Sequence, residues 1–293
     1  MGVQTGKYRI QLQRVVLINH KYNNFMRTKI FFGSLWSGVI VSIAKSASLL
    51  FVFTLVATIA GCSRDNPEII SGNGEIRKIY PVAVHQLGIP EPSGIAYNFK
   101  NNSLMIVSDG RTDVYETNFT GEILRIIPSV GSDMEGIALS KNCDTIFVVE
   151  EKKKMVTAVD INGNKLYSFS VNVASNDNSA LEGISLFNAE DGFLVVNEKN
   201  PSMIIHCRNQ LEIWRKTISY CSDISDIFYD EISNSIWLIS DESRKVLRLS
   251  VSCELLDEWE IPFTKGEGIT IVNDKIYVVN DLDGKLYVFN KPS

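Results

Sequence analysis

The chain has 293 residues, 45% of them hydrophobic and 22% charged, with a formal charge of −5. That balance belongs to a globular protein and excludes a disordered or fibrous one. Residues 1–62 hold seven Lys/Arg and no Asp/Glu, so the rest of the chain has 22 basic and 34 acidic residues, a charge of −12. A body this acidic lacks the basic face that nucleic acid requires, and no nucleic-acid partner is expected.

The first element in chain order is a leader. The stretch "SASLLFVFTLVATIAGC" (46–62) is apolar, ends in small residues and a Cys, and is preceded by Arg27, Lys29 and Lys45. A basic region, an apolar region and a small-residue cleavage site make a secretory signal. "IAGC" (59–62) resembles the bacterial lipobox, in which the cysteine, here Cys62, is lipidated and becomes the new N-terminus. The alternative is an uncleaved span, because residues 30–44 are also uncharged. Met26 is an alternative start that gives a leader of more ordinary length. Residues 1–61 are therefore set aside as leader. Residues 62–74, the lipidated Cys and "SRDNPEIISGNG", read as a tether, and residues 75–293 as the folded domain. The expected location is the cell envelope, with the domain facing the periplasm or the exterior. Cys143, Cys207, Cys221 and Cys253 remain; an exported protein can pair them, but the absence of any CxxC favours isolated thiols.

From residue 92 the chain is periodic. The openings "PSGIAYN" (92–98), "MEGIALS" (134–140), "LEGISLF" (181–187), "ISDIFYD" (224–230) and "GEGITIV" (266–272) recur. Each is followed by a β-branched or aromatic run that stops at an acid: "SLMIVSD" (103–109), "TIFVVEE" (145–151), "GFLVVNE" (192–198), "SIWLISD" (235–241) and "KIYVVND" (275–281). Opening positions Ser93, Glu135, Glu182, Ser225 and Glu267 lie 42, 47, 43 and 42 residues apart. Closing acids Asp109, Glu150, Glu198, Asp241 and Asp281 lie 41, 48, 43 and 40 apart. Two more strand-like runs complete each unit, as in "MVTAVDI" (155–161) and "KLYSFSV" (165–171), joined by the Asn-Gly signature of a hairpin.

Four-stranded units of this length predict an all-β fold, a five-bladed β-propeller of antiparallel blades. The last unit lacks its fourth strand, and "IRKIYPVAV" (76–84) is a strand without a blade. The N-terminal strand is therefore expected to complete the last blade and close the ring. Trp214, Trp237 and Trp259 are expected to pack between blades.

The first strand of a propeller blade lines the central channel, which places the repeated Glu-Gly at one mouth. Glu135, Glu182 and Glu267 would converge there, with Asp109, Glu150, Glu198, Asp241 and Asp281 as an outer circle. Crowded carboxylates are separated by water, have raised pKa values, or share a cation. Calcium, with six to eight oxygen ligands, fits best; magnesium demands stricter geometry. Zinc is not expected, since His85 and His206 are the only histidines outside the leader and neither repeats. No catalytic role is assigned to either histidine.

"EPSGIAYNFKNNSLMIVSD" (91–109), "MEGIAL" (134–139), "LEGISL" (181–186) and "ISDESRKVLRLS" (239–250) resemble the SdiA-regulated family in order and spacing over roughly residues 75–293. The resemblance implies an exported or membrane-associated five-bladed propeller, distantly similar to NHL repeats, with a calcium site and no established enzymatic activity. The ligands named above rest on the rim argument, not on the family. Ser93 and Ser225 stand where the opening Glu would be, and Asp226 where the Gly would be. The resulting expectation is a lipid-anchored, calcium-binding propeller serving as a binding or scaffold module for an unidentified protein or small-molecule ligand. The alternatives are a calcium-dependent hydrolase acting on lactones or esters, and a channel with no ion.

Overall fold

The computed structural model describes residues 77–174, 179–188 and 192–293. The leader, Cys62 and the tether lie outside the described residues. Two short strands come first, β1 (Arg77–Lys78) and β2 (Ala83–Gln86). Four complete blades follow. The first is β3 (Pro92–Asn98), β4 (Ser103–Ser108), β5 (Val114–Thr117) and β6 (Ile123–Ile127). The second is β7 (Met134–Leu139), β8 (Thr145–Glu150), β9 (Met155–Asp160) and β10 (Lys165–Ser170). The third is β11 (Leu181–Leu186), β12 (Gly192–Asn197), β13 (Met203–Arg208) and β14 (Leu211–Thr217). The fourth is β15 (Asp226–Asp230), β16 (Ser235–Ser240), β17 (Lys245–Ser250) and β18 (Leu255–Glu260). The fifth has β19 (Gly266–Val272), β20 (Lys275–Asn280) and β21 (Lys285–Asn290), with β2 as its fourth strand.

Each blade is an antiparallel meander of neighbouring strands. Burial falls from the second strand outward: β4, β12 and β16 are buried at every residue, while the outer strand β6 alternates. A strand covered on both faces reads as a continuous apolar run, and a rim strand does not. Tight turns join the outer strands. In the second blade, Asp160 Oδ1 accepts the N–H of Asn162 at 2.9 Å and of Asn164 at 2.8 Å, while Gly163 takes φ +89°. That positive φ is what glycine allows at low cost.

The ring closes as expected, with one refinement. Ala83 lies opposite Val288 and Gln86 opposite Lys285, so Ala83–Gln86 complete the fifth blade. Arg77 and Lys78 instead pair in parallel with Trp259 and Glu260, adding a fifth strand to the outer edge of the fourth blade. Pro81 lies between the two strands; it has no N–H to continue a ladder, and the chain changes blades there.

Five apolar clusters fill the spaces between neighbouring blades. The closing one joins Val272, Val279 and Leu286 of the fifth blade to Ile95, Leu104 and Ile106 of the first. Fully burying a side chain of this kind contributes roughly 1.5–3 kcal/mol, so ring closure is driven by apolar contact. Trp237 and Trp259 stack at 5.4 Å and 10° within the cluster between the fourth and fifth blades. Trp214 is half-buried against His206. Cys143, Cys207, Cys221 and Cys253 are free thiols.

Candidate functional site

Five strands, β3, β7, β11, β15 and β19, stand side by side around the axis. In four of the five blades the ladder between the first and second strands slips at the opening motif. The slip falls between Pro92 and Gly94, Met134 and Gly136, Leu181 and Ile184, and Gly266 and Gly268. Such a bulge leaves one residue unpaired and re-aims its side chain. Glu135, Glu182 and Glu267 are turned into the mouth in this way.

The next residue must be small because the backbones nearly touch. A Cβ on Gly136 would lie 2.8 Å from the Cα of Gly183, and a Cβ on Gly183 would lie 2.6 Å from the Cα of Asp226. Asp226 takes the glycine position of the fourth blade and is fully buried. Its Oδ2 accepts the N–H of Ile269, on the neighbouring fifth blade, at 2.8 Å.

The outer circle is fixed by a repeated backbone bond. The N–H of Asp109, Glu151, Glu198 and Asp281 donates to the carbonyl of Glu91, Asp133, Ala180 and Lys265, at 3.2, 3.1, 2.8 and 3.1 Å. Each acceptor lies two residues before an opening position. Of these, Glu91, Asp133 and Lys265 have φ of 45°, 56° and 61°, a left-handed conformation that side chains other than glycine rarely adopt.

Seven of the eight expected acids line one mouth of about 170 Å³: Glu135, Glu182, Glu267, Asp109, Glu198, Asp241 and Asp281. Glu150 does not, and the expectation for it is corrected. It is the last residue of β8 and its side chain faces into the blade. There it accepts from Ser132 N at 3.1 Å and Thr157 Oγ1 at 2.7 Å, and it pairs with Lys153. Burial opposes ionisation of Glu150, but those donors outweigh it and hold the carboxyl below its ordinary value. Glu151, the residue after the strand, takes the place at the mouth.

The same division holds in every blade. The sixth residue of the closing run is a buried polar brace: Ser108, Glu150, Asn197, Ser240 and Asn280. Ser108 Oγ donates to Pro90 O at 2.6 Å, and Asn280 Nδ2 to Thr264 O at 2.6 Å. The seventh residue is the acid at the mouth. Alignment on the seventh letter of the run would have identified Glu151.

Glu91 and Asp223 also line the mouth and were missed. They lie two residues before Ser93 and Ser225, so the blades lacking an opening Glu supply a carboxylate from one turn away. Ser93 braces the ring instead, its Oγ donating to Met134 O of the next blade at 2.5 Å. Ser225 Oγ accepts the N–H of Asp241 at 3.3 Å. Lys265 is the one basic side chain among the described lining residues, with Nζ 3.3 Å from Asp241 and 3.4 Å from Glu267.

The electrostatics follow from the crowding. Burial, then the charges of Asp109 and Glu151, pushes Glu135 up to about 9. Burial, then Glu135 and Glu198, raises Glu182 well above the carboxylate range. Burial pushes Glu151 up to about 7, and burial, partly offset by Lys265, pushes Glu267 to about 7. Asp109, Glu198, Asp223 and Asp281 are raised chiefly by burial as well.

Glu151, Glu182 and Glu198 each present an oxygen, and these oxygens lie within 4.8 Å of one another. Oxygens bound to one calcium at about 2.3–2.6 Å are at most about 5 Å apart, so the spacing fits that ion. Asp109, Asp133 and Glu135 form a second close group, in which Asp133 is engaged by Lys152. The histidines are elsewhere. His85 is on the closing strand β2, and His206 lies edge-on to Phe187 with its pKa lowered by burial.

Comparison with known proteins agrees with this architecture. The glutaminyl cyclase of Myxococcus xanthus superposes with a TM-score of 0.58 at 9% identity, covering 75% of this chain and all of that one. A virginiamycin B lyase from Staphylococcus aureus, crystallised as an inactive variant with quinupristin, matches at TM-score 0.46 and 18% identity. That match covers 68% of this chain and 66% of the lyase, just short of two thirds of its length. A gluconolactonase from Xanthomonas campestris matches at TM-score 0.49 and 9% identity, over 71% of this chain and 88% of the enzyme. At 9% identity the likeness to the glutaminyl cyclase is one of fold alone. No curated protein is detectably similar in sequence. The SdiA-regulated family model matches residues 80–293, the whole propeller from its closing strand to its end, and the chain belongs to the SdiA-regulated family.

Proposed function

We propose that this protein is a calcium-binding propeller anchored to the cell envelope through a lipid on Cys62, and that it acts as a binding or scaffold module. The carrying observation is the group Glu151–Glu182–Glu198, three carboxylates with oxygens within 4.8 Å of one another in a mouth whose acids resist ionisation. Glu135, Glu267, Asp109, Asp241 and Asp281 add negative charge around it. A bound divalent cation would supply the charge that lets these groups ionise together. Glu182, at the centre of that charge, would be held by it, while the bulge in β11 keeps its backbone in place. The test is metal analysis of the purified full chain, then melting in calcium, magnesium and chelator. Bound calcium and a melting temperature that falls in chelator support the proposal. Metal-free protein with an unchanged melting temperature overturns it.

A hydrolase of lactones or esters is the second reading. It is favoured by the number of acids at the mouth, which exceeds what one calcium takes up and leaves a carboxylate free to act as a base. Turnover of a lactone and ester panel in calcium, abolished by chelator, would replace the scaffold role with this one.

A further inference from the structure

Beyond the layer of Gly94, Gly136, Gly183, Asp226 and Gly268 the channel widens again, toward the face opposite the acids. This second chamber has a volume of about 540 Å³. Next to the constriction its wall is formed at Ile95, Ile137, Ile184, Ile227 and Ile269, one from each blade, whose buried side chains belong to the clusters between blades. One residue further along, Ala96, Ala138 and Ser185 leave the chamber open on three of its five sides.

Three features define what it would hold. Its size lies within the roughly 300–1,000 Å³ of small-molecule sites. Its charged groups are already engaged: Lys141 pairs with Glu231 at 3.4 Å, and Asp230 is held by Lys291 and by Ser233 at 2.5 Å. Among the described lining residues an ionic ligand would find no free counter-charge, in contrast to the acidic mouth. The five inner strands are the end strands of their sheets, so their outer backbone edges face the channel. The walls therefore alternate apolar side chains with N–H and C=O groups that can serve a few neutral polar atoms. At the opening, Phe99 and Ile232 are 55% and 95% exposed, an apolar rim around an apolar cavity.

We propose that this chamber is a binding site for an uncharged, largely apolar small molecule bearing a few neutral hydrogen-bonding groups. It is separate from the cation site, which lies across the glycine layer.

The probe is 1-naphthol, uncharged at neutral pH, titrated into the full chain in detergent and chelator with isoleucine methyl groups labelled for NMR. Saturable shifts confined to the isoleucines of the chamber, Ile95, Ile137, Ile184, Ile227, Ile269, Ile271 and Ile232, are expected. Shifts instead at Ile126 and Ile213, exposed on the outer strands, or the absence of saturable shifts, would overturn the proposal. Ala96→Phe and Leu186→Trp fill the chamber and should weaken binding about tenfold or more. Folded variants that bind as tightly as the parent would also overturn it. Should neither variant fold, the methyl map of the unaltered chain decides alone.

Discussion

Stripping divalent cations from the protein should make its stability fall as pH rises from 5 to 8. Glu151 and Glu267 have folded pKa values of about 7 against an ordinary 4.5. The folded state therefore holds more protons than the unfolded state between those values, and stability declines as pH climbs through that window. The full shift corresponds to about 3 kcal/mol for each group, and water at the mouth reduces it to roughly 2 kcal/mol each. For a domain of this size 1 kcal/mol moves the melting temperature by about 2–4 °C, so the pair predicts a drop of about 8–16 °C. Glu135 and Glu182, raised further, hold excess protons across the whole window, so they add to this drop, make the pair's figure a lower bound, and extend the decline above pH 8. Glu116, Glu150 and Asp230 are held below their ordinary values, so they act in the opposite sense and only in acid. The assay is thermal melting by circular dichroism across pH 5–9, in chelator and in saturating calcium. Calcium should flatten the curve, since the ion replaces the protons. A melting temperature in chelator that stays level or rises over pH 5–8 would refute the claim that burial, with crowding, keeps these carboxylates protonated.

Glu150→Gln and Glu151→Gln should separate cleanly by calcium titration and melting. The first should cost about 1–3 kcal/mol of stability with calcium affinity nearly unchanged. The second should weaken calcium binding about tenfold or more while raising the melting temperature of the stripped protein at pH 8. Gly183→Ala places a methyl 2.6 Å from the Cα of Asp226 and should cost roughly 3 kcal/mol, visible in denaturant unfolding; a neutral result would show that the ring has slack there. Lys265→Met removes the cation beside Asp241 and Glu267 and should tighten calcium binding a few-fold by titration calorimetry.

The propeller was legible because its signal is carried twice. The opening motif and the closing run keep one period, and each has a physical cause, close packing at the axis and a strand covered on both faces. The closing strand was legible for the same reason, although Pro81 moved its start to Ala83 and sent Arg77 and Lys78 to the neighbouring blade. The inner acids were legible from the Glu-Gly pair, but not why they point inward. That depends on a bulge, and a one-residue slip between strands leaves no mark in either strand alone. Glu150 and Glu151 differ by one position in the period-two alternation of a strand, which decides between a buried brace and a mouth acid. Adjacent identical residues cannot be told apart by type, only by register.

The five blades do not contribute equally, and the inequality places the charge. Blades one and four put a serine at the opening and use it as a brace, through Met134 O and Asp241 N. The side of the mouth shared by blades four and five already carries Lys265, which lowers the cost of ionising Glu267. Glu135 has no such partner, and the charges of Asp109 and Glu151 raise it further, while for Glu151 the N–H of Ala180 at 3.0 Å and the charge of Lys152 offset burial only in part. Negative charge is thus concentrated on blades two and three, where the Glu151–Glu182–Glu198 oxygens lie within 4.8 Å of one another and Lys199, 2.8 Å from Glu198, offsets it only in part. Five-fold repetition builds the mouth, but a divalent cation responds to the local excess of charge. The proposed ion therefore belongs to the second and third blades, and replacing Ser93 or Ser225 with Glu should tighten its binding no more than the few-fold expected for Lys265→Met, since each changes the charge of the mouth by one.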